Sequence, residues 1–85
     1  MQIITHRTQL TDLFLMSMKS LPNGTGRIVE IARGMHELME EGLFEIQGDL
    51  LYEWQYQMRW VKTELKKNGL IDFEKRGNKS FWSFV

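Results

Sequence analysis

Apolar residues recur every three to four positions along most of the chain, then switch to every second position near its end. The first periodic stretch is Leu10, Leu13, Phe14, Met18 and Leu21, which predicts a helix with one buried stripe. Thr8 or Thr11 is placed to cap its start, and Asp12 suits the positive end of the helix dipole. Leu15 and Met16 fall off the stripe and predict cover on a second side. Leu21-Pro22-Asn23-Gly24 is turn chemistry, and Thr25 is placed to cap a second helix. Ile28, Ile31, Ala32, Met35, Leu38 and Met39 form the stripe of that helix. Gly34 lies inside the pattern, at a cost of about 1 kcal/mol relative to Ala, and marks a bend or a close helix crossing. Gly42 stands where a helix C-terminal cap belongs.

Between residues 43 and 47 the periodicity weakens. Phe44 and Ile46 alternate with Glu45 and Gln47, which leaves open a loop or a short third strand beside the terminal hairpin. Asp49 is placed to cap a third helix over about residues 50–68, with the stripe Leu51, Trp54, Met58, Val61 and Leu65. Asn68-Gly69 ends it. With Gly77-Asn78 as a two-residue turn, Arg76 faces Lys79, Phe73 faces Trp82 and Ile71 faces Phe84. Ile71, Phe73, Trp82 and Phe84 then share one face of a hairpin, whereas a one-residue slip would scatter them. The expected fold class is α+β. It is a winged helix-turn-helix, with three helices followed by a β-hairpin wing, in one domain over residues 1–85.

Composition narrows the picture. Eighty-five residues, 42% of them hydrophobic, support one small core. The absence of cysteine removes disulfides and thiolate metal sites and fits a cytoplasmic protein. No apolar run approaches the roughly 18 residues of a membrane span. The opening MQIITHRTQL lacks the basic-then-apolar order of a signal peptide, so a complete small protein is expected. Net charge is zero but unevenly spread. Residues 1–51 hold four Lys/Arg against seven Asp/Glu, and residues 52–85 hold seven against four. The second half has the sign that phosphates attract.

On the third helix, the face opposite the apolar stripe carries Tyr52, Gln55, Tyr56, Arg59, Lys62, Thr63 and Lys66. A DNA major groove admits one helix, in which Arg pairs with guanine and Gln with adenine. The N-terminal part of such a helix meets the bases, so Gln55, Tyr56 and Arg59 are the base-edge candidates. Tyr52, Lys62, Thr63 and Lys66 are backbone candidates, joined by Lys75, Arg76, Asn78 and Lys79 at the hairpin tip. The bland alternative is a solvated basic face that keeps the protein soluble. Glu53, Glu64 and Glu74 oppose phosphate wherever they face it. Trp54 belongs to the core, and Trp60, one residue off the stripe, packs under the hairpin or against a partner subunit.

The segment Trp60-Val61-Lys62-Thr63-Glu64-Leu65-Lys66-Lys67-Asn68-Gly69-Leu70-Ile71, followed by Lys75-Arg76-Gly77, resembles the amino-terminal domain of Mrr-type restriction proteins. That family has a winged-helix module with a pattern close to W-A-x-x-x-L-K-K-A-G-L-I and then R-G before the last strand. Trp60, Leu65, Lys66, Lys67, Gly69, Leu70, Arg76 and Gly77 match it. Val61 replaces the small residue after the tryptophan, and Tyr56-Gln57 stand where the family often has an asparagine-arginine pair. The module covers essentially the whole chain and would stand alone here. The resemblance therefore implies DNA binding as a recognition or accessory unit, without cleavage.

Other chemistry is thin. Glu64-Leu65-Lys66 matches a nuclease fragment, but it falls in a helix with Leu65 toward the core and lacks a second carboxylate. His36 and Glu40 stand one helical turn apart without a third metal ligand. His6 is isolated near an end expected to fray. Gly24-Thr25-Gly26 lacks the strand and lysine of a phosphate loop. The expectation is a non-enzyme that needs no cofactor, metal, membrane or small-molecule ligand. It would bind double-stranded DNA, with a homodimer completing the site, as a transcriptional regulator or as an accessory of a restriction or mobile-element system. The rival expectation is a protein-interaction module that presents Leu15, Met16, Trp60 and Phe81.

Overall fold

Three amphipathic stripes and one period-two segment become three helices and a C-terminal antiparallel hairpin in the computed structural model, which describes residues 1–85. The helices are α1 (Leu10–Ser20), α2 (Ile28–Glu40) and α3 (Leu50–Lys67). Leu10, Leu13, Phe14 and Met18 of α1, Ile31 and Met35 of α2, and Trp54, Met58, Val61 and Leu65 of α3 are all buried in one apolar cluster. Leu50, not Leu51, opens the α3 stripe. Leu50 lies four residues before Trp54 and joins a cluster that contains Ile4, Phe44 and Ile46, while Leu51 stays 47% exposed. Leu15 is half-buried against the core and Met16 is exposed, so α1 is covered mainly on one side. No helix is long and apolar enough to cross a membrane.

The helices differ from expectation at their starts. A 3₁₀ turn at Arg7–Gln9 leads into α1, and neither Thr8 nor Thr11 caps it. The Gln9 side-chain oxygen instead accepts from the N–H groups of Thr5 (2.8 Å) and His6 (3.0 Å), and Thr8 N–H donates to His6 Nδ1 (3.3 Å). Arg27, not Thr25, is the first residue of the α2 cap, and its N–H donates to Glu30 Oε1 at 2.8 Å. Asp49 holds the cap position of α3 without a side-chain bond. The C-terminal end of α2 agrees with the sequence. Gly42 takes φ +80°, and the N–H groups of Gly42 and Leu43 return to the carbonyls of Met39 and Leu38. This satisfies the last carbonyls of α2 where a side chain would be strained.

Gly34 marks a close helix crossing. A Cβ built there would collide with Ser17 Oγ on α1. Ser17 is fully buried, and its hydroxyl donates across the crossing to the Ile31 carbonyl at 2.7 Å. The polar atom is buried but satisfied, so the crossing leaves no unpaired donor.

The N-terminus does not fray. Gln2–Ile4 forms β1, which pairs in parallel with β2 (Phe44–Ile46), Gln2 opposite Phe44 and Ile4 opposite Ile46. The strand permitted at 43–47 therefore exists, but its partner is the start of the chain and not the hairpin. The buried side chains of Ile4, Phe44 and Ile46 explain the pairing, because both alternate positions of β2 and the last residue of β1 are buried in the core.

The hairpin, β3 (Ile71–Arg76) and β4 (Lys79–Phe84), has the expected register, with Ile71 opposite Phe84, Phe73 opposite Trp82 and Arg76 opposite Lys79. Ile71 and Trp82 are buried, while Phe73 remains 42% exposed and tilts against Trp82 at 5.1 Å between ring centroids. The third neighbour of the hairpin is the single residue Gly26. Its N–H donates to the Trp82 carbonyl (3.0 Å), and its carbonyl accepts from Trp82 N–H (2.8 Å).

Urea unfolding tests both the strand pair and the crossing. Ile4→Ala should cost about 2–5 kcal/mol, whereas a frayed end would give almost no change. Gly34→Ala should destabilise by about 1–3 kcal/mol despite the better helix propensity of alanine. Adding Ser17→Ala should recover most of that loss in the same assay.

Candidate nucleic-acid interface

The apolar stripe of α3 faces the core, so geometry turns the opposite face to water. Gln55, Arg59, Thr63 and Lys66 are exposed, with Tyr52 at 86% and Tyr56 at 73%. Gln55, Tyr56 and Arg59 line one rim of a groove of about 400 Å³ between α3 and the first turns of α2. Ile28, Val29, Ala32 and Met58 supply its apolar lining. The three base-edge candidates thus border a single concave feature.

The groove adjoins a second hollow of about 340 Å³, because Ile28 and Val29 line both. Here Lys62 from α3 meets Lys79 and Ser80 from β4, Arg27 from the start of α2, and Trp82. Lys62 and Lys79 therefore lie on the same side of the molecule. The Lys62 ammonium sits 5.1 Å from the Trp82 ring centroid, and Lys66 lies 5.7 Å from that of Phe73. The hairpin aromatics serve as a floor for two lysines one helical turn apart, a cation–π arrangement worth about 0.5–1 kcal/mol per contact at exposed sites.

Other candidates are engaged elsewhere. Thr63 donates its hydroxyl to the Arg59 carbonyl of its own helix at 3.0 Å. Lys66 approaches Asp72 at 3.8 Å, and Arg76 approaches Glu74 at 3.5 Å while lying over Phe81 at 4.9 Å. Lys75 is paired across the hairpin with Ser80, and Asn78 lies in the turn between the strands. Tyr52 is exposed and borders neither hollow. The hairpin tip supplies Lys79 to the second hollow directly, whereas Arg76 is held by a carboxylate.

Arg27, Val29 and Ser80 escape reasoning from sequence. Val29, 47% exposed, carries a faint signal as an apolar residue off the α2 stripe. Arg27 and Ser80 carry none, because only the pairing of Gly26 with Trp82 brings them together.

The rival apolar set is not gathered. Leu15 and Met16 border a hollow with Gln2, Asp12 and Phe44. Trp60 is half-buried beneath the Arg7 guanidinium, 4.3 Å from its ring centroid, and Phe81 is covered by Arg76. His36 and Glu40 pair at 3.2 Å on an exposed face. No group of three or more His, Cys, Asp or Glu residues converges in a metal-holding arrangement. Glu64-Leu65-Lys66 lies in α3 with Leu65 buried.

No family model, curated protein or solved structure matches the chain. The exposed groove residues hold no core position. Ala substitutions at Gln55, Tyr56 or Arg59 should therefore shift the unfolding free energy by no more than about 0.5 kcal/mol. Trp54→Ala should cost about 3–5 kcal/mol, and urea denaturation of the four variants reads the contrast.

Proposed function

We propose that this chain binds duplex DNA, with α3 as the recognition helix of a winged helix-turn-helix and the β3–β4 hairpin as its wing. One observation carries the reading: Gln55, Tyr56 and Arg59 border a groove that continues into a hollow lined by Arg27, Lys62 and Lys79. Side chains able to read base edges thus adjoin cations able to hold the backbone, in the order that docking of a helix in the major groove requires. The match of Trp60, Leu65, Lys66, Lys67, Gly69, Leu70, Arg76 and Gly77 to the amino-terminal module of Mrr-type restriction proteins supports the same assignment. Within it, the chain is a recognition or accessory unit of a restriction or mobile-element system, or a small transcriptional regulator, and it performs no cleavage itself. One unit covers a half-site, so a homodimer supplies the full affinity.

The basic residues act through phosphate neutralisation, which releases counterions and makes affinity fall with salt at a slope of about −0.9 per phosphate. A gel-shift or anisotropy titration on random duplex pools should give a slope of about −3 to −5 per unit. Arg59→Ala should lose tenfold or more in affinity, and Arg76→Glu should weaken binding across all sequences. Absence of duplex binding at low salt, or a flat salt response, removes the assignment.

A further inference from the structure

The hollow between the start of α2, the middle of α3 and the tip of β4 concentrates positive charge in a chain whose net charge is zero. Two of its cations, Lys62 and Lys79, have no carboxylate within ion-pair distance. The third, Arg27, is shared with Glu30 at 3.6 Å, a partly exposed pair. Lys62 rests on the Trp82 ring, which limits how far its ammonium can withdraw. Ser80 adds a hydroxyl that forms no hydrogen bond within the chain, and the N–H groups of Ile28 and Val29 likewise meet no acceptor.

From this arrangement we infer that the hollow seats one phosphate group of the DNA backbone, held jointly by Arg27, Lys62 and Lys79. The inference rests on the duplex-binding reading and adds to it a specific anchor that no base-edge contact supplies. Three cations from three separate elements line one hollow, so a single tetrahedral phosphodiester can draw on all three where an extended acidic peptide would reach only one side. Ser80 and the opening amides of α2 donate to its remaining oxygens. Such a seat fixes register without reading sequence. It sets where along the backbone Gln55, Tyr56 and Arg59 meet the bases.

Glu30 gives the seat its own internal competitor. Its carboxylate holds both the N–H and the guanidinium of Arg27 in the unbound protein. On phosphate binding the guanidinium exchanges one anion for another, while the Arg27 N–H keeps its acceptor. Glu30→Gln retains an oxygen for that N–H but removes the competing charge. It should tighten duplex binding about two- to five-fold, the scale of one exposed ion pair.

The decisive test compares salt titrations of a random duplex pool for the unmodified chain, Arg27→Gln, Lys79→Gln and the triple variant that adds Lys62→Gln to both, with Lys67→Gln as a control outside the hollow. Because all three cations serve one phosphate, the triple variant should lose about 0.9 from the slope. A loss of about twice that value or more means separate contacts and overturns the shared seat, as does an unchanged slope. In either case the duplex reading stands. If the unmodified chain binds no duplex, that reading falls, and inorganic phosphate alone decides the seat. ¹H–¹⁵N spectra should then show saturable shifts at Ile28, Val29 and Ser80 that chloride at equal ionic strength does not produce and the triple variant lacks. Absence of those shifts overturns the seat.

Discussion

Two backbone hydrogen bonds between Gly26 and Trp82 tie the hairpin to the point where α2 begins. The hollow beside the groove depends on that tie. It brings Lys79 and Ser80 beside Arg27, and it lays the Trp82 ring beneath Lys62. The base of the hairpin is fixed as well. Leu70 N–H returns to the Leu65 carbonyl at the end of α3, and Val85 N–H donates to the Leu70 carbonyl. A β-ribbon of two strands is marginal alone in water. Here it is pinned at its base and along one edge, and Ile71 and Trp82 are buried beneath it.

Local periodicity made much of this legible. The three helices could be read because stripes such as Leu10, Leu13, Phe14 and Met18 repeat at the pitch of a helix. The hairpin register could be read because only one alignment collects Ile71, Phe73, Trp82 and Phe84. What escaped depends on residues distant in sequence. The strand at Phe44–Ile46 finds its partner at the N-terminus through a parallel pairing that no turn signal announces. Leu50 displaced Leu51 because the core beside it includes that unexpected strand pair. Helix starts escaped because Gln9 and Glu30 reach back to the preceding backbone, a role for which residue type favours the nearby threonines. The same division runs through the groove. Gln55, Tyr56 and Arg59 emerged from helical geometry, whereas Arg27 and Ser80 needed the tertiary tie.

A formal charge of zero conceals strong local organisation. Lys66 and Arg76 stand near Asp72 and Glu74, while Lys62 and Lys79 remain uncompensated beside one hollow. Exposed ion pairs contribute only about 0–1 kcal/mol. Those near the hairpin therefore oppose little resistance to exchanging a carboxylate for another anion. Positive charge on this face is partly free and partly held in weak reserve.

The parallel pairing of β1 with β2 has a temporal consequence. Residue 2 must wait for residue 44 before Ile4 can leave water, and closing so long a loop is entropically slow compared with winding the intervening helices. The strand pair is thus expected to close after the two helices that lie between its halves.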